Sequence, residues 1–176
     1  MDIAIRPATV EDAAGIARVH VDSWRTTYQG IVPDEVLANL SYEKRQAIWE
    51  RYNPNQRQDY RLLVAVDETG RIVGFADSGL TRDPDPDYPG ELYAIYLLRE
   101  CQGQGVGRML VNNLVASMLT VNISAMLVKV LAENPACRFY EALGARYLRT
   151  EPIEIGGTQL DERVYGWADT RLILQR

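Results

Sequence analysis

The chain has 176 residues, 47% hydrophobic and 24% charged, which fits a soluble globular protein of one compact domain or at most two small ones. A formal net charge of −5 argues against a nucleic-acid partner, and the composition excludes a disordered tail, a collagen-like repeat and a disulfide scaffold. One histidine, His20, and two cysteines, Cys101 and Cys137, leave little material for a metal site or a histidine-dependent triad. Asp2 comes at once and no apolar core follows within residues 1–9, so no signal peptide is expected. No run approaches the roughly 18 apolar residues of a membrane span. A cytoplasmic protein with reduced thiols and no membrane partner is the expectation.

Residues 2–6 alternate, with Ile3 and Ile5 on one face, and Pro7 ends this first strand. Thr9, followed by Glu11 and Asp12, starts a helix, and Gly30 stops it after Gln29. Pro33 opens a short helix through Leu40, and Ser41 starts another that ends near Asn53-Pro54. The period then changes to two. Residues 61–66 and 71–80 read as a hairpin through Asp67-Glu68-Thr69-Gly70, followed by a loop with three prolines. A strand over 91–98 leads to a helix over 105–119, where Val106, Leu110, Leu114 and Met118 form one stripe. Residues 124–131 read as a buried strand, and 134–143 as a helix capped by Asn134 with Pro135 in its first position. Residues 145–155 and 159–168 close the chain as a hairpin. These elements predict one α/β domain over 1–176, with a mixed, mostly antiparallel central sheet flanked by helices.

The segment that carries chemistry runs from Glu91 to Arg108: strand, glycine-rich turn, start of an amphipathic helix. Such a turn aims consecutive backbone N–H groups and a helix dipole at one point, where a pyrophosphate fits. Arg108 adds a charge-assisted contact. A dinucleotide fingerprint would need glycine at 108, and a Walker A loop would need Gly-Lys-Ser/Thr; neither is present. The pattern that remains is Gln/Arg-x-x-Gly-x-Gly/Ala, filled by Gln102, Gly105 and Gly107.

This closely resembles the coenzyme-A loop of the Gcn5-related N-acetyltransferase (GNAT) superfamily. A second block, Asn134-Pro-Ala-Cys-Arg-Phe139-Tyr140-Glu-Ala-Leu-Gly144, and the opening Ile5-Arg6-Pro7-Ala8-Thr9 follow the family in the same order along the chain. Ser23-Trp24-Arg25, Tyr28 and Gly30 look like a bacterial small-molecule branch. The resemblance implies the GNAT fold, acetyl-CoA as acyl donor, no metal, a small-molecule amine as acceptor and a homodimer. It implies that the amides of Gly103, Gln104, Gly105, Val106, Gly107 and Arg108 hold the pyrophosphate. It also implies that the strand edge at Ile95, Tyr96 and Leu97 pairs with the pantetheine arm, that Asn134 contacts that arm, and that Tyr140 protonates the departing thiolate. Glu91 is the expected base, by elimination, since Lys129 stands where some relatives carry a glutamate. Strand alternation puts Glu91, Tyr93 and Ile95 on one face. Trp24, Tyr28 and Tyr93 are the candidate acceptor wall.

Cys101, Cys137 and His20 read as structural residues. Asp83, Asp85, Asp87 and Glu91 fall in a stretch without Lys or Arg, which suggests a surface for a cationic amine such as a polyamine, with an amino acid also possible. The rival readings are an acyl-CoA-binding sensor without turnover, a protein or peptide N-acetyltransferase, and a nucleotide-binding domain.

Overall fold

The computed structural model describes residues 2–51, 57 and 59–175. The elements in chain order are β1 (Ile3–Pro7), α1 (Ala13–Thr27), α2 (Asp34–Ala38), α3 (Tyr42–Arg51), β2 (Arg61–Asp67) and β3 (Ile72–Leu80). They continue with β4 (Gly90–Leu97), α4 (Val106–Leu119), β5 (Met126–Leu131), α5 (Ala136–Ala142), β6 (Arg146–Ile155) and β7 (Thr158–Trp167). The seven strands form one sheet in the order β1-β2-β3-β4-β5-β7-β6. Every neighbouring pair is antiparallel except β4 and β5, so the sheet is mixed and mostly antiparallel, as the hairpins predict.

The β2–β3 hairpin turns where Asp67 Oδ1 accepts from the amides of Thr69 and Arg71, and Gly70 takes φ +84°. One face of the sheet is covered by α1 and α3, which bring His20 and Trp49 against Phe75 of β3. The other face is covered by α4, whose Val106, Leu110, Leu114 and Met118 are all buried, the stripe read from the sequence. The end predicted for α3 near Asn53-Pro54 lies outside the described residues.

Three boundaries differ from expectation for local reasons. A 3-10 turn (Val10–Asp12) precedes α1, because the Asp12 carboxylate folds back on the start of the helix: Oδ2 accepts from the Thr9 amide at 2.8 Å. Helix α1 ends at Thr27, where the Tyr28 carbonyl captures the amides of Ile31 and Val32 at 3.0 and 3.1 Å and turns the chain toward α2. Helix α5 begins at Ala136, with Asn134 Oδ1 accepting from the Ala136 amide at 2.9 Å.

Arg6 grips Asp12 with two hydrogen bonds of 2.6 and 2.8 Å, tying β1 to the start of α1. That contact holds the Asp12 carboxyl below its ordinary range. Asp12→Ala is expected to cost about 1–2 kcal/mol in denaturant unfolding at pH 7. Because the folded value is depressed, this contribution is complete above about pH 4 and is lost as the pH falls through the depressed value. Wild type and variant should therefore converge in acid; an unchanged gap at pH 3 contradicts the assignment.

Candidate active site

The parallel ladder between β4 and β5 holds three register pairs, Gly90 with Met126, Glu91 with Leu127 and Leu92 with Val128, and then stops. Beyond Leu92 and Val128 the two strands separate, leaving backbone edges without a ladder partner. Into this split opens a cleft of about 640 Å³, lined by the end of α1, residues 93–97 of β4, the glycine loop, residues 128–130 of β5 and the start of α5.

A bulge shapes the β4 wall. Ala94 pairs with Asp77 but Leu92 with Ser78, so Tyr93 is an extra residue in the strand. Strict alternation therefore fails. Ala94 and Tyr96 pair with Asp77 and Phe75 on the α1 face, and Ile95 pairs with Ala76 on the other. Glu91, Tyr93 and Ile95 do not share a face; the expectation that they do is corrected by the bulge.

Gly103 and Gly105 take φ of +71° and +84°, the left-handed region open to glycine without strain. Gly107 lies close to Phe139 instead, where a Cβ would stand 3.2 Å from the ring and make a tight contact. The Met109 amide donates to the Gly105 carbonyl at 3.0 Å, and among the described residues no backbone acceptor takes the amides of Val106, Gly107 and Arg108 in the first turn of α4. Arg108 lines the cleft with Nη1 sealed from solvent and without a hydrogen-bond partner, an orphan donor beside those amides. This donor set fits a phosphorylated ligand. The side chain of Gln102 donates to the Leu97 carbonyl and that of Gln104 to the Glu100 carbonyl, so both brace the loop.

Opposite the loop, Asn134 Nδ2 donates to the Tyr28 hydroxyl at 3.2 Å, joining α1 to the start of α5. Ser23, part of the resemblance but not among the expected site residues, lines the cleft and donates from Oγ to the Leu97 carbonyl at 3.0 Å. Tyr140 lines the cleft with its ring between Phe139 and Trp167. Burial, with a smaller contribution from the Tyr28 hydroxyl, pushes its phenol well above the ordinary range and keeps it protonated.

The cleft lining contains Ile95, Tyr96, Leu97, Gln102, Gly103, Gly105, Gly107, Arg108 and Asn134 together with Tyr28, Tyr93 and Tyr140. Four expected residues lie elsewhere. Gln104 stands beside the loop, Val106 is buried in the core, and Trp24 stacks on His20 and packs at a tilt against Tyr28. Glu91 is fully buried, and Arg82 clamps both of its carboxylate oxygens through the backbone amide and the guanidinium. As the chain is folded, Glu91 is an ion-pair partner and not a free base at the cleft.

Two more acids of that stretch are paired with cations. Asp83 accepts from Lys129 at 2.6 Å and Asp85 lies 3.6 Å from Arg149. Sequence order hid these cations, which come from β5 and β6. His20 sits among Trp24, Trp49, Phe75 and Tyr96, and burial, helped by the charge of Arg45, pushes its pKa down to about 3. Both cysteines are buried, and neither is in a disulfide among the described residues.

A sheet split at its one parallel junction, with a glycine loop and helix start at the split, is the architecture of an acyl-CoA-dependent acyltransferase. The sequence profile of the Acetyltransferase (GNAT) family matches residues 19–145, and the chain belongs to that family as an acetyl-CoA-dependent N-acetyltransferase. It is 41% identical to the N-acetyltransferase YuaI of Bacillus subtilis over 95% of this chain and 94% of the relative. It is 28% identical to the L-methionine sulfoximine/L-methionine sulfone acetyltransferase of Pseudomonas aeruginosa, covering 77% and 75% of the two chains. The fold matches that of PaiA N-acetyltransferase from Thermoplasma acidophilum, solved in complex with coenzyme A. Here the TM-score is 0.67 at 21% identity, covering 93% of this chain and 98% of that one.

Two substitutions test the loop. Gly105→Ala forces a left-handed alanine and is expected to weaken coenzyme A binding about tenfold. Arg108→Ala removes the orphan donor and is expected to weaken it by at least as much. Calorimetric titration reads both; affinities within twofold of wild type refute the assignment.

Proposed function

We propose that this enzyme acetylates the primary amine of a small molecule that also carries a carboxylate, an amino acid or a close analogue. The observation behind this reading is the charge of the cleft. Among the described residues its lining holds three cations, Arg99, Arg108 and Lys129, and no carboxylate. Arg99 and Arg108 belong to the loop end, which suits the donor's phosphates. Lys129 stands on β5, and its ammonium contacts Asp83 and Glu151. Burial opposes the charge on Lys129, but these two carboxylates outweigh it and hold the ammonium charged. Lys129 lines the cleft and its two carboxylate partners do not, so a substrate carboxylate can take the place of Asp83, an ion pair that a polyamine has no group to make. The Pseudomonas relative supports the reading, since its two named substrates carry an amino group beside a carboxylate.

Acetyl-CoA supplies the acetyl group as a thioester. In this reading the amides of residues 103–108 and Arg108 bind its phosphates, the edge at residues 95–97 takes its amides as an added strand would, and Asn134, fixed by Tyr28, orients it. The amine attacks as the neutral base: its nitrogen bonds to the thioester carbonyl carbon, the C–S bond breaks, and the proton that the nitrogen sheds passes through water to restore the Tyr140 phenol. Tyr140 donates a proton to the leaving sulfur. The homodimer implied by the resemblance belongs to the same proposal, and light scattering tests it.

Thiol release from acetyl-CoA across amino acids, polyamines and peptides is the direct test. Amino acids should be turned over and spermidine should not; the reverse order refutes the reading. Lys129→Ala should raise KM for the amino acid at least tenfold with KM for acetyl-CoA unchanged. Tyr140→Phe should lower kcat about a hundredfold while coenzyme A affinity stays within twofold.

A further inference from the structure

Asp77 lies on β3, directly across the ladder from Ala94, at the register shift that makes Tyr93 an extra residue. Its side chain is buried, and the two oxygens are unequal. Oδ2 accepts from the Tyr60 hydroxyl at 3.0 Å, whereas Oδ1 is sealed from solvent without a partner. A carboxyl group is an odd choice here, since a buried polar atom left unpaired costs free energy and an ionised one costs more. Its surroundings are built around the bulge. The Tyr93 ring stacks on Tyr60, the Arg82 guanidinium lies 5.1 Å from the Tyr93 centroid, and the Tyr93 hydroxyl donates to the Leu80 carbonyl. A Cβ on Gly79 would stand 2.5 Å from that hydroxyl, so this position leaves space for Tyr93.

We infer that Asp77 is an ionisable anchor of the Tyr93 bulge, and that its protonation state sets the geometry of the strand edge facing the cleft. Asp77 is not part of the cleft lining; it is a positioning residue that acts through Ala94 and Tyr93. The charged form is favoured by the Tyr60 hydroxyl, the charge of Arg82 and the Ala94 amide. The neutral form turns one oxygen into a donor and releases that pull. Tyr60 precedes β2, Arg82 lies in the β3–β4 loop, and Glu91, Tyr93 and the Ala94 amide come from β4. Burial raises the Asp77 pKa to about 7, with Glu91 adding to the rise and Tyr60, Arg82 and the Ala94 amide opposing it. The switch therefore falls within the physiological range. The single histidine titrates far below that range, so it cannot imitate the effect. Glu162, also raised by burial, is the competing carboxyl that the variants must separate from Asp77.

The experiment is a pH titration of amide NMR shifts in the full chain without ligand, which does not depend on the substrate reading. The Tyr93 and Ala94 amides should shift with a midpoint near pH 7 in wild type and lose that transition in Asp77→Asn. Tyr60→Phe removes a hydrogen bond that favours the charged form, so its midpoint should move upward. It also keeps the test open should Asp77→Asn fold poorly. The pH profile of kcat/KM, measured on a common substrate, should lose the same inflection in Asp77→Asn while Glu162→Gln keeps it. Folded Asp77 holds its proton to higher pH than the unfolded chain, so the wild type loses stability relative to Asp77→Asn between about pH 4 and 7, with no further loss above. Amides that do not titrate, a midpoint retained in Asp77→Asn, or a midpoint lowered in Tyr60→Phe would overturn the inference.

Discussion

The rest of the site depends on the parting of β4 and β5. A parallel pair cannot be joined by a tight turn and needs a crossover, here the glycine loop and α4. After three register pairs the strands diverge, and backbone groups that a sheet would normally satisfy internally face a cleft. Elsewhere an open edge of this kind is a liability. Here it is the surface on which an extended, amide-bearing ligand can be paired. The split places the end of β4, the start of α4 and the start of α5 around one volume.

Around this split the chain spends specific interactions on geometry. Ser23 and Gln102 both donate to the Leu97 carbonyl, fixing the last turn of β4 before the loop. Tyr28 holds Asn134 from across the cleft, so the end of the first helix sets the orientation of a residue more than a hundred positions away. Arg82 clamps Glu91 below the floor, and the β3–β4 loop is tied to β5 and β6 through Asp83 and Asp85. A loop that reads as an acidic patch is thus part of a compensated network. Lys129, the member of that network that lines the cleft, is shared there between Asp83 and Glu151.

The elements themselves were legible because each carries local signals. The stripe from Val106 to Met118 lies on the buried face of α4, and the positions of Gly103 and Gly105 mark left-handed backbone that few other residues tolerate. Helix ends were less legible, since the stop near Tyr28 depends on a carbonyl that captures two amides downstream as well as on the left-handed Gly30 within that turn. The alternation of β4 failed for a related reason. A bulge is set by the partner strand and the side chains packed beside it, and nothing in Glu91-Leu-Tyr-Ala-Ile announces an extra residue.

By itself the sequence determined the class of chemistry: a glycine loop before a helix, followed by an Asn-to-Tyr block at family spacing, in a chain with one histidine. Those signals are local, because backbone conformation and helix starts are written in a few adjacent residues. The tertiary structure alone decided which charges meet. It paired Glu91 with Arg82 and Asp83 with Lys129, left Lys129 at the cleft, and buried Asp77 beside the bulge. Charges interact through space over a few ångströms whatever their separation along the chain, and only folding sets those distances.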